Sequence, residues 1–206
     1  MTIGLDLGDR MTEGCVMDTT GAVVERFRTR TTRARVAPLL AILEHLTATI
    51  RQFDRQLARL ATTRYPVTAV LRQIPGVGPL TALTYVLTLE DPTRFRKSRM
   101  VGAYLGLRPK RRESGAQRPE LSTTKAGDVF LRRHLVTAAQ YILGPFGPDT
   151  DLRRWGLALA ARGGRAAKKR TVVAVARKLA VLLHRLWVTG EVYEPLGYQA
   201  RAARVA

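Results

Sequence analysis

The sequence is poor in cysteine and lacks long apolar runs. Its single cysteine, Cys15, excludes an internal disulfide and a cysteine-based zinc site, and it is consistent with a reducing compartment. No uninterrupted apolar run approaches the roughly 20 residues that a helix needs to span a bilayer. Asp6 interrupts the N-terminal apolar stretch, so no secretory signal is expected. These absences predict a cytoplasmic protein with no membrane partner.

Acidic side chains are scarce as well. The 206 residues include 35 Lys and Arg against 16 Asp and Glu, which gives a net charge of +19. Residues 1–32 carry four basic and five acidic side chains, so the positive excess lies in residues 33–206. Such an imbalance drives self-repulsion unless a polyanion neutralises it. Since 46% of the residues are hydrophobic, the chain is expected to be globular, with nucleic acid as its partner.

The N-terminal segment predicts a small antiparallel sheet. Residues 2–7, 12–18 and 22–28 each have the pattern of a strand, and Gly21 supplies a tight turn. Three strands alone make a poor hydrophobic core. The meander is therefore expected to need a further surface to pack against.

A heptad pattern follows the meander. Apolar residues recur at alternating spacings of three and four over four heptads, which favours a coiled coil, as a dimer or an intramolecular helical hairpin. A long helix packed on its own domain is the alternative, because Leu40 and Ile42 broaden the stripe. Pro66 ends the helix, since proline disfavours a helical residue before it. The heptad positions are Val36, Leu39, Leu43, Leu46, Ile50, Phe53, Leu57 and Leu60.

The rest of the chain predicts a helical domain with an irregular basic loop or hairpin over residues 108–125. The expected fold class is therefore α+β, mostly helical. The predicted helices cover residues 67–73, 80–89, 98–105, 129–143, 149–161 and 166–188.

The sharpest local motif is Ile74-Pro-Gly-Val-Gly-Pro79 between two predicted helices, which resembles a helix-hairpin-helix element. Gly76 and Gly78 leave backbone amides free to approach a phosphate, and the second helix directs its N-terminal dipole at the same anion. This would be a sequence-independent grip on nucleic acid. The alternative is a helix connection that needs glycine geometry only.

Ser114 stands out among three serines, because four cations precede it within six residues and Gly115 follows it. Its hydroxyl could meet a phosphodiester held by those cations. Glu113 is the one obvious base nearby in sequence, and without the proper base Ser114 would be an ordinary loop hydroxyl.

Asp6 ends the first predicted strand between Gly4 and Gly8, where a carboxylate could hold Mg²⁺ in a two-metal nuclease sheet. The alternative is an aspartate that forms a turn. Further cations near these motifs are predicted to contact the nucleic-acid backbone, although a solvated basic face is an open alternative for the helix start at residues 162–170. The predicted contacts are Arg108, Lys110, Arg111, Arg112, Lys125, Arg132, Arg133, Arg165, Lys168, Lys169 and Arg170.

Taken together, these blocks resemble the insertion-sequence transposases of the IS110 family, which are bridge-RNA-guided serine recombinases. The resemblance is weak over residues 1–30 and good over residues 66–195. Besides the motifs above, it rests on three blocks. They are Ala103-Tyr-Leu-Gly-Leu-Arg-Pro109, Lys125-Ala-Gly-Asp-Val-Phe-Leu-Arg132 and Ala174-Val-Ala-Arg-Lys-Leu179.

The resemblance implies Ser114 as the nucleophile that forms a phosphoserine with DNA, and Asp6 as the first of four acids in a RuvC-like, RNase H-like site for Mg²⁺. It also implies a structured guide RNA and a homo-oligomer, a dimer or tetramer, with one site composed from two subunits. The expected division is a truncated RuvC-like meander over 1–32, a coiled-coil helix over 33–65, a serine transposase domain over 66–195 and a tail over 196–206.

One departure from the family pattern matters for activity. Family members carry a strand with an acid and a helix with an aspartate pair between the meander and the coiled coil, whereas this chain passes from Thr32 directly into Arg33. We therefore expect strand cleavage by this chain alone to be severely impaired. Two further hypotheses are a dimerising nucleic-acid binder without chemistry and a recombinase that takes its missing acids from a partner chain.

Overall fold

The computed structural model describes residues 1–110, 122–164 and 166–197, apart from the side chain of Arg35. The chain divides into two compact units, Met1–Arg55 and Gln56–Ala206. The fold is α+β and mostly helical, as predicted. None of the described helices combines the length and apolar character needed to cross a membrane.

The first unit begins with the predicted meander. Strands β1 (Thr2–Leu7), β2 (Met11–Met17) and β3 (Val23–Arg30) form an antiparallel sheet in the order β1-β2-β3. The turn into β3 has Gly21 at φ +86°, where glycine avoids the strain of a Cβ atom. The Asp18 carboxylate accepts hydrogen bonds from the amides of Thr20 and Ala22 across this turn. The hydrogen bond from the Thr20 hydroxyl, followed by these two amide bonds, lowers the pKa of Asp18.

One face of this sheet remains exposed. Ile3, Leu5 and Leu7 alternate along β1 and are each about half exposed, at 54%, 48% and 52%. Alternating residues of a strand share one face, so these three side chains form an apolar row. That the three-stranded sheet needs a further surface to pack against stays a prediction.

Helix α1 (Arg33–Arg64) is one continuous helix of 32 residues. It confirms the predicted helix and its end before Pro66, and it excludes a hairpin folded within this stretch. Much of the heptad stripe is exposed, including Leu43, Leu46, Ile50 and Phe53 at 50–60%. The stripe is thus available to a partner helix, although the coiled coil itself stays a prediction.

The second unit is built around helix α7 (Ala167–Thr189). Val175, Leu179 and Leu183 are fully buried at intervals of four residues, which places them on one face of the helix. The remaining helices pack around it, and Gly190 in the left-handed conformation ends it. They are α2 (Val67–Leu71), α3 (Pro79–Leu89), α4 (Val101–Tyr104), α5 (Val129–Leu143) and α6 (Asp151–Ala161).

Side-chain caps explain where two helices of this unit begin. The Asp128 carboxylate accepts from the amide of Leu131 at the start of α5, and the Thr150 hydroxyl accepts from the amide of Arg153 at the start of α6. Two short 3-10 turns, Pro92–Arg94 and Ser98–Met100, lie between α3 and α4. The second of these turns and α4 together occupy the region predicted as one helix over residues 98–105.

Candidate nucleic-acid interface

The turn between α2 and α3 requires glycine at one of its two glycine positions. Gly76 has φ +87°, and a Cβ atom there would lie 3.0 Å from Cδ1 of Tyr141 and 3.3 Å from the carbonyl oxygen of Ala138. Ile74 and Val77 are buried and anchor the turn in the core. Gly78 has an ordinary extended conformation, and a Cβ atom there would meet nothing within 4 Å. A side chain at position 76 would therefore be strained, whereas one at position 78 would not.

The same turn leaves four backbone N–H groups without a protein acceptor. Helix α3 begins at Pro79 after the N-cap Gly78, which offers no side-chain cap. Among the described residues, no acceptor faces the amides of Gly76, Gly78, Leu80 or Thr81. Free amides at a helix N-terminus, together with its positive dipole end, favour an anion. This geometry suits a phosphate group.

A groove of about 460 Å³ opens beside the turn. One wall is the turn itself, and the other is formed by His134, Thr137 and Tyr141 of α5. The Nε2 atom of His134 is buried without a hydrogen-bond partner in the described structure, and the ring meets Phe130 edge-on with centroids 4.5 Å apart. A buried polar atom without a partner costs free energy.

A short two-stranded stem carries the basic loop. The amide of Lys110 donates to the carbonyl of Ser122, and the amide of Thr124 donates to the carbonyl of Arg108. An isolated antiparallel bridge joins Pro109 and Thr123 between them. The described ends of the loop therefore pair as the ends of a hairpin do. A hairpin was one of the two forms predicted for residues 108–125. Ser114, Arg111 and Arg112 lie outside the described residues.

The base of this stem is held by close backbone contacts. Gly106 has φ +67° and Gly127 has φ +76°, both in the left-handed region. A Cβ atom at Gly106 would overlap the backbone of Ala126, and one at Gly127 would overlap the carbonyl oxygen of Tyr104. The two glycines therefore let two chain segments cross at a distance that no other residue allows. This crossing fixes the direction in which residues 108–110 leave the core.

Arg132 reinforces the crossing from α5. Its guanidinium Nη1 donates to the carbonyl oxygen of Leu105 at 3.1 Å and to that of Ala126 at 2.8 Å. Its neighbour Arg133 is exposed. Both arginines were predicted to contact the nucleic-acid backbone. The structure instead places the guanidinium of Arg132 on two carbonyl oxygens of the protein itself.

The remaining predicted cations fall into two places. Arg108, Lys110 and Lys125 lie on or beside the hairpin stem, and the amide of Lys125 donates to the carbonyl of Gly106 at 3.1 Å. On α7, the first turns expose a second basic cluster, while Arg165 lies outside the described residues. The α7 cluster comprises Lys168, Lys169 and Arg170.

Asp6 lies in the sheet opposite Glu13, which pairs in turn with Arg28 of β3. The Glu13 carboxylate is 3.4 Å from Nε of Arg28, and these residues line a shallow groove of about 610 Å³ with Arg26. No group of three or more metal-binding side chains occurs within the described part of the chain. Two carboxylates beside two guanidinium groups do not fit a two-metal nuclease site, which needs several converging carboxylates.

Sequence reasoning missed the α5 wall of the groove. His134 and Tyr141 come from a helix about 60 residues beyond the glycine turn, and no local motif joins them. Their seven-residue spacing was the one available signal, because positions four and seven residues apart share a helix face. Tyr141 lies at the point where Gly76 allows the turn to approach.

Comparison with known proteins relates this chain to transposases. Residues 68–151, which contain the glycine turn and the basic hairpin, match the model described as Transposase IS116/IS110/IS902 family. The chain is 36% identical over 124 residues to the transposase for insertion sequence element IS1111A of Coxiella burnetii, covering 60% of this chain and 33% of that protein. It is 30% identical over 154 residues to a probable family 20 transposase of Pseudomonas aeruginosa, covering 74% and 44%.

A further relative is named for gene inversion. The chain is 25% identical over 141 residues to the pilin gene-inverting protein of Moraxella lacunata, covering 66% of this chain and 42% of that protein. The alignments thus span between a third and less than half of the length of these three relatives.

Proposed function

Because the chain belongs to the IS116/IS110/IS902 family of transposases, we propose that it binds DNA and takes part in insertion-sequence transposition or recombination. The glycine turn between α2 and α3 acts as a helix-hairpin-helix grip on phosphate. The basic hairpin carries Ser114 to the phosphodiester. A relative named for gene inversion is consistent with recombination chemistry.

The observation that carries this proposal is the set of four unpaired amides at Gly76, Gly78, Leu80 and Thr81. They favour an anion, and hydrogen bonds to phosphate oxygens carry no direct information on base sequence. The excess positive charge beyond residue 32 attracts the same ligand over a longer range. The geometry of the turn and the overall charge thus both favour nucleic acid as the partner.

For the chemistry, the Ser114 hydroxyl oxygen attacks the phosphorus of a DNA phosphodiester. A phosphoserine ester forms, the bond from phosphorus to the displaced sugar oxygen breaks, and the serine proton ends on that sugar hydroxyl. Arg108 and Lys110, which lead toward Ser114 from the stem, stabilise the negative charge of the transition state. The glycine crossing and Arg132 keep the stem in a single orientation.

The family resemblance implies Mg²⁺ at a RuvC-like, RNase H-like site that starts at Asp6. Since the described carboxylates around Asp6 do not fit that site, we propose that the chain alone cleaves DNA poorly. A partner chain of the same family could donate the missing acids. The exposed heptad stripe of α1 would join the chains as a homo-oligomer, a dimer or tetramer, and the excess cations would also hold a structured guide RNA.

The second candidate is a nucleic-acid binder without chemistry. The mixed carboxylate and guanidinium surface around Asp6 favours it, because the metal-dependent half of the reaction has no complete site there. Such a protein would dimerise through α1, occupy DNA through the glycine turn and interfere with a full-length relative. In that case Ser114 would have no function.

The experiment is a covalent-capture and cleavage assay with Mg²⁺ on the chain alone and mixed with a full-length relative. Wild type, Ser114→Ala and Asp6→Asn are compared. We expect weak cleavage alone and Ser114-dependent phosphoserine capture in the mixture. Efficient recombination by the chain alone that survives Asp6→Asn would contradict the proposed metal defect, and capture that survives Ser114→Ala would eliminate the nucleophile.

A further inference from the structure

Helix α5 exposes a polar and aromatic stripe on the side that faces away from the core. Phe130, His134, Thr137 and Tyr141 follow one another at intervals of four, three and four residues, which places them on one face. The opposite face carries the fully buried Leu131 and Leu135. Phe130 is 52% exposed and Tyr141 is 46% exposed. Burial in the core therefore does not explain why two large aromatic rings occupy this stripe.

The glycine turn forms one wall of a groove, and three residues of the stripe, His134, Thr137 and Tyr141, lie on the other wall. Tyr141 stands against Gly76. Phe130 lies next to His134, beyond the groove lining. The turn wall offers unpaired amides, and the α5 wall offers the half-exposed ring of Tyr141. A ligand that satisfies both walls must carry phosphates and flat aromatic groups at the same time.

An intact duplex does not meet this requirement, because its bases are stacked on one another and show only their edges in the grooves. A strand with unpaired bases does, since each free base can stack on an exposed ring while its phosphate contacts backbone amides. We infer that this groove holds a single-stranded nucleic-acid segment. Unpaired bases stack on Tyr141 and Phe130, and the adjoining phosphate lies on the amides of Gly76, Gly78 and Leu80.

The dimensions and charges of the groove agree with this occupant. Phe130 and Tyr141 are 11 residues apart, which corresponds to about 16 Å along the helix axis and leaves room for a few nucleotides. Arg72 lines the groove and is exposed, and Arg133 is exposed on the neighbouring turn of α5. DNA and RNA strands share this chemistry, so both are included in the test.

The inference rests on the proposed function and narrows it from nucleic acid in general to an unpaired strand. The test measures binding of the full chain to a short fluorescent single-stranded DNA, to the RNA of the same sequence and to the corresponding DNA duplex, at one salt concentration. Tyr141→Ala, Phe130→Ala and Tyr141→Phe are the test variants. Phe146→Ala is the matched control, because Phe146 is 83% exposed but lies outside α5 and its stripe.

We expect the wild type to bind at least one single strand about tenfold more tightly than the duplex. Tyr141→Ala and Phe130→Ala should each weaken single-strand binding roughly tenfold and leave duplex binding within about twofold. Tyr141→Phe should retain the affinity, since the ring is kept, and Phe146→Ala should change nothing. Should Tyr141→Ala lower the thermal unfolding midpoint, Phe130→Ala decides, because Phe130 is 52% exposed and Tyr141 is the residue that packs against Gly76.

Two results overturn the inference, and they can be told apart. Equal affinity for single strands and duplex, unchanged by either alanine substitution, eliminates the unpaired strand while phosphate binding by the chain stands. Absence of salt-sensitive binding to any of the three probes eliminates the proposed function and the inference together.

Discussion

Gly127 lies so close to the carbonyl oxygen of Tyr104 that a Cβ atom at this position would overlap it. The contact joins the segment before the basic hairpin to the segment after it. Gly106 makes the reciprocal approach to the backbone of Ala126. Backbone packing at these two glycines therefore holds together the described segments that precede and follow residues 111–121.

The first prediction concerns this crossing. Gly127→Ala and Gly106→Ala should each lower the free energy of unfolding by about 2–4 kcal/mol, because the added methyl group meets backbone atoms and φ is positive at both positions. Urea unfolding followed by circular dichroism measures the effect. Gly78→Ala is the control, since its φ is negative and the space around it is open. A loss below about 0.5 kcal/mol in both crossing variants would contradict the account.

The second prediction separates the two glycines of the turn. Gly78→Ala should leave unfolding unchanged but weaken nucleic-acid binding several-fold, because its methyl group would stand where a phosphate approaches the amides. Gly76→Ala should instead destabilise the fold, since Tyr141 and Ala138 leave no space for it and φ is +87°. Urea unfolding and fluorescence anisotropy, run on both variants, test the pair. Full affinity in Gly78→Ala would rule out phosphate contact at this point.

The third prediction compares adjacent arginines. Arg132→Met should lower the free energy of unfolding by about 1–3 kcal/mol, because two backbone carbonyls lose a charged donor. Arg133→Met should change stability by less than about 0.5 kcal/mol and weaken nucleic-acid binding, since its side chain is exposed. The same two assays apply. Equal stability of the two variants would show that the Arg132 contacts contribute nothing.

The fourth prediction concerns pH. Tyr85 is fully buried and donates its hydroxyl hydrogen to the carbonyl of Ala180 at 2.7 Å, and burial raises its pKa well above the ordinary value of 10.0. The folded protein therefore keeps this proton at pH values where the unfolded chain releases it. The stabilisation is complete below pH of about 10 and is lost as the pH rises toward the folded pKa.

Free energies of unfolding measured from about pH 9 to about pH 11 test whether stability falls as the pH rises. Wild type should lose stability more steeply with rising pH than Tyr85→Phe, because phenylalanine has no proton to release. Tyr104→Phe serves as the control, since Tyr104 is 38% exposed. Parallel curves for wild type and Tyr85→Phe would show that the unfolded and folded states release this proton alike.

Much of the local structure could be predicted, because its causes are local. Helix α5 has its predicted bounds because Asp128 caps its start and Gly144 ends it. The meander follows from alternation and from Gly21. Helix α1 ends before Pro66 for a steric reason that is visible in the sequence.

Features that depend on distant partners could not be predicted. The role of Arg132 becomes visible only when the carbonyl of Leu105, 27 residues away, is placed beside it. Buried His184 hydrogen-bonds Ser98 and the carbonyl of Pro92 across 86 and 92 residues, which explains a segment of short turns that no periodicity marks. The α5 wall of the groove belongs to this class, since Tyr141 meets the glycine turn through tertiary packing alone.

The central claim is that the turn and its surrounding cations bind polyphosphate. Its most direct test is the affinity of the purified chain for a DNA duplex across a range of salt concentrations. We predict that the logarithm of the binding constant falls linearly with the logarithm of salt concentration, with a slope of about −4, which corresponds to roughly four neutralised phosphates. Binding that is absent at low salt, or that does not change with salt, would contradict the account.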